Sequence, residues 1–99
     1  MDDRERMGIM ENIELRALRA QIDQVDDKIA EMFQIRMTLC AQLATLKARE
    51  GEPPIDEWRE TEAAERLCAQ MEDPIAAYFA VLYESLLEIT HDYQNTLTS

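Results

Sequence analysis

The chain has 99 residues, of which 46% are hydrophobic, and this is enough apolar material for one small domain. Its formal net charge of -11 argues against nucleic acids and anionic membrane surfaces as partners. The first eight residues are charged, and no apolar run reaches the length of a membrane span. The sequence therefore predicts a cytoplasmic protein that binds neither membrane nor nucleic acid.

The composition predicts an all-α fold. Only two glycines and three prolines interrupt a sequence that is rich in helix-forming Ala, Leu, Met, Glu, Gln and Arg. No segment shows the strict alternation of β-branched residues that is typical of strands. Residues 1–8 are expected to form a polar lead, and residues 9–99 are expected to form one helical domain.

The first predicted helix is very long, from about Ile9 to Glu50, and it carries one apolar stripe. The stripe recurs at spacings of three and four residues, at Leu18, Ile22, Val25, Ile29, Met32, Leu39, Leu43 and Leu46. Such a helix would span about 60 Å, whereas a compact domain of this size has a radius of gyration of about 13 Å. One chain cannot cover that face, so the sequence predicts a homodimer in which long helices pack against each other.

Three cations lie on the side of this helix that should be buried. Arg36 fills the apolar slot after Met32, and Arg19 and Lys47 lie on the neighbouring row. Arg36 and Lys47 are eleven residues apart, about 16 Å along the axis, so both can reach one small ligand. Arg19 is about 25 Å from Arg36 and would reach that ligand only from an antiparallel partner chain. Because charge on an apolar face needs a partner, we predict that these residues bind a small dianion.

Two shorter helices are expected to follow. Gly51 and the prolines after it should end the first helix, and Asp56 should cap a second that extends to about Met71. Asp73 and Pro74 form a start signal for the third helix.

The two shorter helices also carry polar residues near the expected core. In the second, Glu60 lies on the apolar row with Arg59 beside it. In the third, Thr90 and Gln94 lie one turn apart, beside an apolar stripe and at the edge of the core; the stripe is Ile75, Phe79, Leu82, Leu86, Ile89, Tyr93 and Leu97. Cys40 and Cys68 fall among apolar neighbours, which favours buried thiols over a disulfide or a metal site.

These polar residues are suited to binding rather than to attack. Arginine recognises carboxylates through paired hydrogen bonds, lysine supplies a point charge, and Gln, Thr and Glu orient a ligand. The sequence has no histidine beside a nucleophile, no glycine loop for phosphate and no metal-ligand spacing. Each residue taken alone also has a structural interpretation: a pairing of Glu60 with Arg59 or Lys47, a capping role for Asp56, or solvated helix charges.

Taken together and in order, the segments resemble the all-helical class of chorismate mutase over roughly residues 15–95. The resemblance is carried by LRAQIDQVD at 18–26, by Arg36 and Lys47, by PIDEWRE at 54–60 and by EITHDYQ at 88–94. It implies a homodimer of intertwined three-helix protomers that converts chorismate to prephenate without a cofactor or metal, on the shikimate route to aromatic amino acids.

The resemblance also implies a role for each candidate residue. The dimer would have two sites, and each site would contain seven residues of one chain and Arg19 of the other chain. The seven residues are Arg36, Lys47, Asp56, Arg59, Glu60, Thr90 and Gln94. Arg19 and Arg36 would hold the two carboxylates. Lys47 and Gln94 would face the ether oxygen. Glu60 would accept a hydrogen bond from the ring hydroxyl, and Thr90 would assist in binding a carboxylate.

The sequence departs from the family pattern at two positions. Thr90 stands where serine is more usual, and His91 stands where arginine is frequent; His91 is assigned no role. Two other functions stay open: an isochorismate pyruvate-lyase, against which the Asp56, Arg59 and Glu60 cluster argues, and a non-catalytic helical dimer or regulatory module. Docking to a larger shikimate-pathway enzyme stays open, because only some small members of this family need such a partner.

Overall fold

The computed structural model describes residues 12–98, which form three helices and no strand. The helices are α1 (Ile13–Glu50), α2 (Glu57–Cys68) and α3 (Ile75–Thr98). This confirms the all-α prediction for the described range, with one very long, one short and one medium helix. The predicted polar lead at residues 1–8 and the predicted helix start at Ile9 lie outside the described residues.

The chain divides into two compact units, Met1–Arg36 and Met37–Ser99, which we call the first and the second unit. The described part of the first unit consists of Asn12 and of α1 as far as Arg36, and none of its side chains is buried. Its apolar stripe is exposed in the single chain, at Leu18 57%, Ile22 56%, Val25 54%, Ile29 60% and Met32 54%. A single chain thus leaves this stripe uncovered, as the sequence predicts.

In the second unit, α1 ends at a glycine that adopts a left-handed conformation. Gly51 has a φ of 73°, and its amide donates to the Ala48 carbonyl at 3.4 Å. The Glu52 amide donates to the Lys47 carbonyl at 2.9 Å, which completes a Schellman motif. The predicted helix stop at Gly51 is confirmed, and its reason is that only glycine adopts this φ without a steric penalty.

The helix α2 begins with a side-chain cap. Asp56 has an extended backbone, and its carboxylate accepts a hydrogen bond from the Arg59 amide at 3.1 Å. The predicted cap is therefore confirmed. The end of α2 was predicted at about Met71 and lies instead at Cys68, because tighter i to i+3 bonds replace the α-helical ones, including one of 3.1 Å from the Met71 amide to the Cys68 carbonyl.

The helix α3 begins at Ile75, one residue later than predicted. Pro74 was expected at the first helical position, but it lies in the turn before the helix. Its carbonyl still accepts a helix-type bond from the Tyr78 amide at 3.2 Å. The start signal therefore places the helix correctly to within one residue.

The core of the second unit is small: it includes Ala44 of α1 and, on α3, lies along the row next to the predicted stripe. Tyr83 and Thr90 are buried, and the rings of Phe79 and Tyr83 stack with centroids 5.8 Å apart. Most of the stripe that the sequence favoured stays exposed in the single chain, with Leu82 at 63%, whereas its members Phe79 and Leu86 are half-buried. Thr90 was expected at the edge of the core and lies inside it, because two adjacent rows of α3 are apolar and the periodicity does not distinguish them.

Two further features complete the described range. Cys40 and Cys68 are half-buried and form no disulfide, so the prediction of thiols is confirmed while full burial is not. The Cys68 thiol donates to the Ala76 carbonyl at 3.7 Å. None of the helices in residues 12–98 combines the length and apolar character that crossing a bilayer would require.

Candidate functional site

Lys47 lies at the edge of a cavity in the second unit. Its ammonium donates to the Pro54 carbonyl at 3.2 Å, which ties the last turn of α1 to the connection before α2. The cavity has a volume of about 160 Å³, and its lining includes Lys47, Glu52, His91 and Gln94. The lysine that the sequence singled out is therefore half-buried beside a concave space.

Gln94 shares this cavity and links α3 to α1. Its side-chain amide donates to the Cys40 carbonyl at 2.9 Å. This bond fixes the side chain at the rim where Lys47 also lies. The structure thus brings together two of the residues that were predicted to face one oxygen of the ligand.

Thr90 is the most buried of the candidate residues. Its side chain is 4% exposed, and its hydroxyl donates to the Leu86 carbonyl at 2.7 Å. The Met37 sulfur lies 3.9 Å from the same hydroxyl. In this conformation the hydroxyl bonds within its own helix.

Glu60 pairs with His91, a residue that the sequence reasoning left without a role. The imidazole Nε2 lies 2.6 Å from the Glu60 Oε2, and the two side chains are 24% and 25% exposed. From the sequence, the structural partners of Glu60 are Arg59 or Lys47, whereas in the structure the partner is His91. A signal was present, because His91 precedes Gln94 by three residues and so lies on the same side of α3.

Asp56 and Arg59 lie at the start of α2. Asp56 caps the helix, and together with Lys47 it borders a shallow depression next to the connection that follows α1. The Arg59 side chain is exposed. The cap fixes the first turn of α2 and thereby the position of Glu60 one residue after Arg59.

Arg19 and Arg36 belong to the first unit. Arg19 is exposed, and Arg36 is half-buried. Neither position alters the expectation that these two guanidinium groups bind carboxylates.

The second unit therefore gathers a cation, an amide donor and an imidazole around one cavity, and the imidazole is bonded to a carboxylate. Lys47, His91 and Gln94 line the cavity, and Glu60 is bonded to the imidazole. Such a set can bind and orient an anion that carries a hydroxyl group and can stabilise negative charge beside the ammonium. Within residues 12–98, no group of three or more histidine, cysteine or carboxylate side chains is arranged to hold a metal ion.

The family model of chorismate mutase type II matches residues 18–95. The matched range begins one residue before Arg19, ends one residue after Gln94 and so includes every candidate residue. The chain belongs to the chorismate mutase type II family. Membership confirms the resemblance noted from the sequence and supports a chorismate mutase-type function at the level of the family. No curated protein and no solved structure matches the chain.

Proposed function

We propose that this protein is a chorismate mutase that rearranges chorismate to prephenate as a homodimer. The observation that carries the proposal is the grouping of Lys47, His91 and Gln94 around one cavity, with Glu60 bonded to His91, within the range matched by the family. Chorismate carries two carboxylates, an ether oxygen and a ring hydroxyl, and each of these has a complementary group among the candidate residues.

The chemistry suits a site without a nucleophile. In the Claisen rearrangement, the ether carbon–oxygen bond breaks while a carbon–carbon bond forms within the same molecule, so no group of the protein has to form a covalent bond. The protein accelerates the step by holding the reactive conformer and by placing positive charge where the ether oxygen becomes negative.

Lys47 and Gln94 are the proposed donors to the ether oxygen, and both keep donor capacity for it. The lysine ammonium carries three hydrogens, and one is donated to the Pro54 carbonyl. The glutamine amide carries two hydrogens, and one is donated to the Cys40 carbonyl. The same bonds that fix the two side chains therefore leave hydrogens for a substrate.

Glu60 is the proposed acceptor of the ring hydroxyl, and Thr90 is proposed to assist at a carboxylate. For that role the Thr90 hydroxyl has to turn away from the Leu86 carbonyl, to which it now donates. Asp56 is proposed to act by holding the start of α2, which carries both Arg59 and Glu60.

The proposed dimer supplies the remaining charge. Arg36 of one chain and Arg19 of the other are proposed to hold the two substrate carboxylates, because paired guanidinium hydrogen bonds match carboxylate geometry. The exposed stripe of the first unit supports association, since contiguous apolar surface of this kind marks interaction sites. A two-fold arrangement would give two equivalent sites.

The direct test is the loss of chorismate absorbance with purified protein, followed by identification of prephenate. Arg19→Ala should raise KM and lower turnover, and Arg16→Ala, which removes an exposed arginine from the same helix, serves as the matched control. Cleavage of isochorismate without conversion of chorismate would assign the protein as a lyase instead. Absence of both activities from an intact dimer would contradict an enzymatic function.

Sharing of the site between chains has its own test. Mixing Arg19→Ala chains with Lys47→Ala chains should restore activity to about a quarter of that of the wild-type protein, because half of the dimers would be mixed and each would hold one complete site. If the mixture stays as inactive as its components, the two residues do not serve a common site across the dimer.

A further inference from the structure

Glu60 and His91 form a short hydrogen bond between α2 and α3. The Nε2 to Oε2 distance is 2.6 Å, although the two residues are 31 positions apart in the sequence. Because an ionised carboxylate can only accept, the Nε2–H group of the imidazole is the donor in this bond. From this geometry we propose that His91 is a positioning residue, which holds the Glu60 carboxylate for the hydroxyl of the substrate; this inference rests on the proposed function.

The bond divides the two carboxylate oxygens of Glu60 between two tasks. Oε2 accepts from the imidazole, and Oε1 is left to accept from the substrate hydroxyl. A glutamate side chain that is a quarter exposed otherwise samples several rotamers, and fixing it only when substrate binds would cost conformational entropy. The bond to the imidazole fixes the glutamate rotamer before the substrate binds, so this entropy is not lost on binding.

The location of His91 connects this carboxylate to the rest of the candidate site. His91 lines the same cavity as Lys47 and Gln94, the proposed donors to the ether oxygen. A shift of the carboxylate would therefore move the substrate ring relative to those donors. Misplacement of a bound substrate by about 1 Å is enough to lower the rate of a well-oriented reaction substantially.

The first test compares two replacements of His91. His91→Leu removes the donor but keeps much of the side-chain volume, and we expect kcat/KM for chorismate to fall about tenfold. His91→Gln places an amide N–H near the position of Nε2 and should recover most of that loss. Circular dichroism and sedimentation verify that both variants keep the helical content and association state of the wild-type protein.

A double-mutant cycle separates positioning from a general structural role. Glu60→Leu removes both acceptor oxygens and should lower kcat/KM by itself, and adding His91→Leu to it should have no further effect, because the histidine acts through the carboxylate. If the two losses multiply instead, His91 acts independently of Glu60 and the inference is wrong.

The single histidine of the chain provides a readout that does not depend on catalysis. In wild-type protein labelled with ¹⁵N, the Nε2 proton should be protected from solvent exchange and visible by NMR, and Glu60→Leu, which removes the acceptor, should abolish that protection. This measurement also decides the case in which His91→Leu fails to fold, since an unprotected Nε2 proton in the wild-type protein overturns the inference. If the wild-type protein has no mutase activity, both the proposed function and the positioning role are overturned. If the wild-type protein is active and His91→Leu has the same kcat/KM, only the positioning role is overturned.

Discussion

The first unit, as far as Arg36, keeps its apolar stripe exposed and buries no described side chain, whereas the second unit buries Tyr83 and Thr90 and links its helices through side-chain hydrogen bonds. The second unit therefore has internal order of its own. The exposed apolar pattern of the first unit supports the proposal that a further surface covers it. The candidate residues follow the same division, because the two arginines proposed to bind carboxylates lie in the first unit and the proposed donors to the ether oxygen lie in the second.

The largest expected effect comes from placing a charge on the exposed stripe. Ile22→Glu should abolish the proposed dimer and nearly all activity, because an unpaired carboxylate buried in an interface costs several kcal/mol. Sedimentation velocity and chorismate turnover would measure both consequences. Gln24→Glu adds the same charge away from the stripe and should leave the dimer intact. A monomeric wild-type protein, or an Ile22→Glu dimer, would remove the proposed reason for the exposed stripe.

Within the second unit, Lys47 should have the largest effect on turnover. Lys47→Ala should raise the barrier by about 3 kcal/mol, which lowers kcat on the order of a hundredfold, because a preorganised donor to the ether oxygen is lost. Lys28→Ala removes the only other lysine, which is exposed in the first unit, and should change kcat little. Unchanged turnover in folded Lys47→Ala protein would refute the assigned role.

Stability should depend on the small core of the second unit. Tyr83 is 8% exposed and stacks on Phe79, so Tyr83→Ala should lower the free energy of unfolding by about 3 kcal/mol. Tyr78 is 72% exposed on the same helix, and Tyr78→Ala should stay within about 0.5 kcal/mol of the wild-type value. Urea unfolding would compare the two. Equal losses would mean that the core lies elsewhere on α3.

The smallest expected effect concerns the end of α1. Gly51→Ala should lower the free energy of unfolding by about 1 kcal/mol, because alanine is strained at a φ of 73°. No atom lies within 4 Å of the position of an added Cβ, so the cost is conformational and not a clash. Gly51→Asn should cost less, since asparagine tolerates this region. Thermal unfolding of the three proteins would rank them, and an alanine variant as stable as the wild type would contradict the expectation.

The sequence predicted the ends of the helices well where the signal was local. The stop at Gly51 and the cap at Asp56 each depend on one residue and its immediate neighbours, so no knowledge of tertiary packing was needed. The end of α2 was placed three residues too late, because the turn after Cys68 has no glycine or proline to mark it before Pro74.

Contacts between helices were not predictable in the same way. Which residue of α2 faces His91 depends on the rotation of α3 about its axis, and that rotation follows from packing of the whole unit. The same uncertainty placed Thr90 at the edge of the core, since the exposed stripe containing Leu82 was the more apolar of two adjacent rows. The periodicity of the sequence identifies the apolar faces of a helix, but it does not show which face packs against other helices of the same chain.

The bond from Lys47 to the Pro54 carbonyl makes the position of the ammonium depend on the connection between α1 and α2. Surface connections in helical proteins usually accept extra residues, purification tags or fluorophore attachment with little consequence. Here the peptide oxygen that steadies the ammonium belongs to that connection. Lengthening it after Gly51 would leave both helices intact and yet displace the charged group, so engineering at this loop would impair turnover before it impaired folding.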